Sequence, residues 1–144
     1  MSALTLDTAQ IIVSAALKAA RERSFKPLSI VVYDDRGALK AAASEDGTSL
    51  KRAEIASGKA YGALSMGVGS RAIHKMAIDR PYFVAAASHV VGGQMIPVPG
   101  GVLIKDTGGA TLGAVGVSGD TSDNDEAAAT AGIEAVGLVF DTGA

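Results

Sequence analysis

The chain has 144 residues, with 13 Lys and Arg against 15 Asp and Glu, two His and no Cys. That length predicts one domain with a core that needs no staples, and the missing cysteines exclude disulfides, thiolate metal sites and a cysteine nucleophile. A net charge of −2, scattered cations, three Phe, three Tyr and no Trp provide no basic patch interleaved with stacking rings, so nucleic acid is not an expected partner. No apolar run reaches the roughly 18 residues of a membrane span, and the opening MSALTLDTAQ lacks the basic-then-apolar pattern of a secretory signal, so a cytoplasmic protein is expected. At 48% hydrophobic with 18 Gly, the chain exposes more apolar surface than a small monomer tolerates, which predicts a homo-oligomer.

Leu4–Arg23 reads as the first helix. Thr5 is its expected N-cap, and Ala9, Val13, Ala16, Leu17 and Ala20 form its apolar face. Arg21 and Arg23 suit the negative end of the helix dipole, and Pro27 stops the chain from continuing. Ser29–Asp34 (SIVVYD) is a β-branched run expected at the centre of a sheet. The turn Asp34-Asp35-Arg36-Gly37, with Gly37 at positive φ, returns the chain as an antiparallel strand over Ala38–Ser44.

A second helix is predicted from Ser49 to Met66, with Ala53, Ala56, Ala60 and Ala63 on one face and Arg52, Ile55, Lys59 and Met66 on the next stripe. Two cations seven residues apart are either a solvated face or a pair facing a cleft, ready for a carboxylate. After the break at Gly67–Gly69, Ser70 can cap a short helix to Ile78, and Pro81 opens another over Tyr82–Ser88. Gln94–Val98 is expected as an edge strand, since Pro97 and Pro99 cannot donate to a ladder.

The stretch Pro97–Phe140 is the most informative. Val102–Lys105 and Ala110–Val117 read as strands joined by the turn Asp106–Gly109. Gly116-Val117-Ser118-Gly119-Asp120 then feeds a helix with three candidate caps, Thr121, Ser122 and Asp123. Ala129, Ile133, Val136 and Phe140 are spaced as one face of that helix. A glycine turn at a helix start can hold an anion, but Asp120, Asp123, Asp125 and Glu126 would repel it and already answer the dipole. The order α-β-β-α-α-α-β-β-β-α predicts an α+β fold, one antiparallel sheet covered by helices.

Taken together, LTLDTAQ, SIVVYDDRGAL, IASGKAYGAL, PGGVLI and LGAVGVSGDTSDNDEAAATAG resemble the GlcG/HbpS-like family, also called DUF336 or PduO C-terminal-like, over nearly the whole chain. The resemblance implies a profilin-like fold with a five-stranded antiparallel sheet, and assembly into dimers or larger rings. It implies haem in several members, and otherwise relatives fused to a cobalamin adenosyltransferase, encoded with glycolate-utilisation enzymes, or partnered with a sensor kinase. The family's recurrent residues fall on Asp34, Gly37, Lys59, Gly100, Gly101, Gly116, Ser118, Gly119 and Asp125. The chain departs at Ser24-Phe25-Lys26, where a glycine is usual, and at Ser44-Glu45-Asp46-Gly47, where an arginine commonly precedes the acid. Its first helix also lacks the His, Met or Tyr from which haem-binding relatives can draw an iron ligand.

Three functional readings remain. In the first, a tetrapyrrole lies between subunits, its propionates meet Arg52 or Lys59, and His89 or Tyr61 ligates iron. In the second, the chain is an enzyme or accessory binder for a small organic acid, held at Gly101, Ser118, Gly119 and Asp125 with Lys59, and His89 is the acid or base. In the third, the chain is a structural oligomer supporting another enzyme. His74 is expected on the surface, the two His are not spaced as a metal motif, and GVSGD is not the GxSxG elbow of a nucleophile.

Overall fold

A computed structural model describes residues 3–144. The elements run α1 Leu6–Glu22, β1 Ser29–Asp34, β2 Leu39–Ser44, α2 Arg52–Met66, α3 Ser70–Asp79, α4 Pro81–Val90, β3 Gly101–Lys105, β4 Thr111–Ser118, α5 Ser122–Ala135 and β5 Val139–Asp141. The five strands form one antiparallel sheet in the order β2-β1-β4-β3-β5. The expected α+β architecture is therefore present, with helices on both faces.

Strand alternation sorts side chains by size. Ile30 and Val32 on β1, Val102 and Ile104 on β3, and Val115 and Val117 on β4 join one core with Ile12, Ala16 and Ile133 from α1 and α5. Burying each such Val or Ile contributes about 1.5–3 kcal/mol relative to leaving it in water. The other face of the sheet carries small groups against α2, with Ala114 and Leu103 meeting Ala60 and Ala63. A Cβ on Gly116 would sit 1.9 Å from the Ala56 carbonyl oxygen, and one on Gly101 would sit 2.1 Å from that of Lys59. The glycines that weaken β4 as a strand thus let α2 lie directly on the sheet.

Local signals set most boundaries. The Thr5 hydroxyl accepts from the Thr8 N–H, and Thr121, rather than Ser122 or Asp123, caps α5 by accepting from the Asn124 N–H. α1 closes with a Schellman motif, in which the Phe25 N–H reaches the Ala20 carbonyl (3.0 Å) and Ser24 takes φ 58°. Among the described residues, Ser24 is the one non-glycine at positive φ. Arg21 turns back to pair with Glu45 at 2.9 Å.

Three expectations are corrected. Gln94–Val98 is not a strand; it crosses α2, where the Ile96 N–H donates to the Gly58 carbonyl (3.2 Å) and Met95 packs on Gly62. The fifth strand instead follows α5, which stops at Ala135. Gly137, at φ 72°, closes a second Schellman motif with Leu138 N–H to Ile133 O. Phe140 consequently pairs with Ile104 in the sheet, and the Lys105–Asp141 ion pair at 3.3 Å ties that edge. Finally, α2 begins at Arg52, and Ser70 does not cap α3; its hydroxyl accepts from the Gly101 N–H at 2.7 Å.

Candidate functional site

Two regions built on α2 hold the residues singled out above. The first is a sealed corner where β3 begins and β4 ends. α2 and α5 cover opposite faces of the sheet, and Lys59 bridges them around this end. Its Nζ donates to the Val117 carbonyl at 2.9 Å and to Asp125 Oδ2 at 3.0 Å. Gly100, at φ 122°, makes room, since a Cβ there would stand 2.9 Å from that nitrogen. Asp125 Oδ1 accepts from the Asp120 N–H at 2.9 Å, and the Gly119 N–H also points to this carboxylate. Lys59 is 2% exposed, Asp125 1% and Ser118 0%.

The glycine turn is therefore an anion cradle occupied by the chain's own carboxylate, and no separate anion is needed to satisfy it. The solvated-face reading of the Arg52–Lys59 stripe fails for Lys59, because the helix turns that position onto the sheet. Burial pulls the Lys59 ammonium below the usual lysine range, with Asp125 opposing the shift. Burial likewise pushes Asp125 up, with Lys59 opposing. Arg52 closes the corner from outside, donating to the Ser118 hydroxyl and the Ser49 hydroxyl at 3.1 Å each. Its guanidinium thus rests on two hydroxyls and is only half-buried. Asp34 belongs to the far end of β1, where its carboxylate accepts from the Arg36 and Ala38 N–H groups at 2.9 Å. Burial acts to raise its pKa, but those bonds outweigh burial and lower it.

The second region is an open groove above α2, under the connection from α4 to β3. Three adjoining depressions of about 360, 430 and 410 Å³ make it up, each within the range of small-ligand sites. One is lined by Tyr33, Leu39, Tyr61, Val91, Gly92 and Gln94. The next is bounded by Glu54, Ile55, Ser57 and Gly58 on α2 and by Gly93, Gln94 and Ile96. The third is bounded by Ala85, Ser88 and His89, again with Gly92 and Gly93. Gly92, Gly93 and Gln94 are shared, so the three form one surface. Tyr61 stands edge-on to Tyr33, with ring centroids 5.9 Å apart, and covers Gly37. The Tyr33 hydroxyl is hydrogen-bonded to Ser57.

Arg52, Lys59, Gly101, Ser118, Gly119 and Asp125 are thus brought together, while Tyr61 and His89 lie apart from them on the groove. Gly101 serves the corner by close packing against Lys59 and Ser70. Tyr33, Leu39, Val91 and Gln94 were not singled out from sequence. They come from the β1–β2 hairpin, where Tyr33 pairs with Leu39, and from the α4–β3 connection, and no local pattern joins the two.

The family model described as "Haem degrading protein HbpS-like" matches residues 4–134. Among solved structures, a PduOC:heme complex superposes with TM-score 0.85 at 20% identity, over 96% of this chain and 98% of that one. HbpS superposes with TM-score 0.81 at 26% identity, over 94% and 92%. The Klebsiella pneumoniae protein ORFY does so with TM-score 0.83 at 24% identity, over 94% and 91%. No curated protein matches the chain.

Proposed function

The chain belongs to the HbpS-like family, and on that premise we propose that it is a haem-binding protein, with the ligand in the groove above α2. The observation that carries this reading is a continuous open surface that combines apolar walls with a phenol, Tyr61, and an imidazole, His89. Leu39, 61% exposed, and the half-buried Val91 offer a macrocycle a hydrophobic wall. A Cβ on Gly92 or Gly93 would meet nothing within 4 Å, so these glycines leave the middle of the groove clear. The donor set fits a tetrapyrrole, because phenolate and imidazole are both axial ligands of haem iron. A relative with the same fold has been solved with heme.

Bound haem would supply an iron centre whose ligand, Tyr61 or His89, sets its electronics. Arg52 is held at the corner by the Ser49 and Ser118 hydroxyls and lines none of the groove's depressions, so the groove itself presents no cation to a propionate. Lys59 is the scaffold beneath, already paired with Asp125. A homo-oligomer in the cytoplasm completes the proposal; the cysteine-free sequence supports a reducing compartment.

The test is titration of haem into ligand-free protein. A saturable Soret shift is expected, lost in Tyr61→Phe if the phenol ligates and in His89→Ala if the imidazole does. No shift in the unaltered chain rejects haem. The Arg52 guanidinium also favours a second reading, a free small organic acid. Thermal-shift measurements with hydroxy- and oxo-acids separate the two, since a ligand of the native state alone raises Tm.

A further inference from the structure

The two donors on the groove are held very differently. Tyr61 sits on α2 between Ala60, which is buried against the sheet, and Gly62, on which Met95 rests. Its ring is fixed from two sides. The Tyr33 ring meets it edge-on, with centroids 5.9 Å apart, and a Cβ on Gly37 would stand 2.9 Å from its Cε1. Tyr33 is itself tied to α2, because its hydroxyl is hydrogen-bonded to Ser57. The Tyr61 hydroxyl has no hydrogen-bond partner among the described residues, where no buried side-chain oxygen is left unpaired, so it is open to solvent in the groove that its ring lines. His89, by contrast, is an exposed side chain in the last turn of α4. That helix packs on α3 and runs out into Gly92 and Gly93, both at positive φ.

We infer that Tyr33, Ser57 and Gly37 hold Tyr61 as a preset phenolate donor, and that the groove thereby selects porphyrins of trivalent metals, oxidised haem among them, over porphyrins of divalent metals. The inference rests on the haem reading and adds the oxidation state that the groove takes. A porphyrin dianion leaves a trivalent metal with one net positive charge and a divalent metal with none. Tyr61 answers that charge when its oxygen ligates the metal and its proton passes to solvent. The attraction is stronger beside the apolar walls of Leu39 and Val91 than in water, and no lysine or arginine lines the groove to oppose it. A neutral imidazole provides no such discrimination. Tyr33 and Gly37 are positioning groups: a ring already fixed loses less freedom when it binds. Reduction removes the charge that the phenolate answers, so the groove takes up oxidised haem and loosens its hold on reduced haem.

Gallium(III) and zinc(II) protoporphyrin, titrated by fluorescence, test the selection beside ferric haem. In the unaltered chain gallium should bind about tenfold more tightly than zinc or better. Tyr61→Phe should bring gallium down to the zinc level, and His89→Ala should not. The ferric haem complex should show a phenolate-to-iron charge-transfer band that Tyr61→Phe lacks. A tenfold preference for ferric haem also places its reduction potential about 59 mV below that of free haem. Tyr33→Leu should weaken gallium binding about tenfold and leave zinc binding unchanged, a split that loss of the fold would not produce. Tyr33→Phe, which keeps the ring, should restore most of that loss. Equal affinity for gallium and zinc, or a preference that survives in Tyr61→Phe, overturns the selection and leaves the haem reading standing. Full gallium affinity in Tyr33→Leu overturns the positioning role. Binding of none of the three porphyrins removes the haem reading and this inference with it.

Discussion

The corner at Lys59 and the groove above it are opposite faces of one helix. In the corner every polar group has a partner in the chain: ammonium to carboxylate and carbonyl, carboxylate to two N–H groups, guanidinium to hydroxyl. In the groove the phenol, imidazole and carboxamide of Tyr61, His89 and Gln94 stand among bare glycines and a mixed wall of Leu39, Val91, Ile55, Ser57, Ser88 and Glu54. Most of the motif residues from which the family resemblance is read, Lys59, Gly100, Gly101, Gly116, Ser118, Gly119 and Asp125, lie at or beside this corner, where the two helical layers join around the sheet end, while Asp34 and Gly37 lie at the other end of β1.

Removing Lys59 is the strongest way to break that contrast. Lys59→Ala leaves the Asp125 carboxylate buried without its cation, which destabilises by about 3–5 kcal/mol. At roughly 2–4 °C per kcal/mol for a chain of this size, Tm should fall by about 10 °C or more. Replacing both partners by apolar residues, Lys59→Met with Asp125→Leu, should recover much of the loss. A Lys59→Ala protein that melts with the unaltered chain would falsify the scaffold role. Leu39→Glu makes the converse test. The side chain is exposed, so stability should change by no more than about 0.5 kcal/mol. Haem affinity should fall about tenfold or more, because a carboxylate on the apolar wall must be desolvated. If affinity is unchanged in that titration, the ligand does not touch this wall.

Acid sharpens the contrast from another direction. Asp120 accepts from the Lys26 and Thr121 N–H groups, which hold its pKa below the usual carboxylate value. The sign follows from linkage. A carboxyl with a lowered folded pKa contributes stability above its unfolded value, about 3.9, and loses that contribution as pH falls through the folded value. Tm should therefore drop on acidification below about pH 4, and Asp120→Asn should be less stable at neutral pH with a shallower acid slope. An unchanged slope would remove Asp120 from the account.

How far the sequence could be read follows the range of each signal. β1 was legible because six residues carry their own β-branched pattern, and α1 because Thr5 and a 3.6-residue period bound it. The end of α5 was misread, because the spacing of Val136 and Phe140 suggested a longer helix and Gly137, which closes the helix, was not used. Lys59 could be matched to Asp125 or Asp34 equally well, because nothing local says which end of the sheet α2 crosses. Gly58 and Gly62 are understood only once residues 94–96 are seen lying on them. Everything missed in this way depends on one segment crossing another, information that no window of sequence contains.

The smallest effect tests the backbone at the turn that closes the first helix. Ser24 holds φ 58° inside a Schellman motif whose hydrogen bonds are made by backbone alone. A side chain in that region costs roughly 1–2 kcal/mol of strain. Glycine removes the strain but loosens the unfolded chain, an opposing term of about 0.4–1 kcal/mol. The difference predicts that Ser24→Gly stabilises by about 0.5–1 kcal/mol, a gain of about one to four degrees in Tm. The position lies beyond the corner and the groove, so haem affinity should not move with it. A lower Tm would mean that the serine hydroxyl, exposed at the helix end, contributes more than its backbone angle takes away.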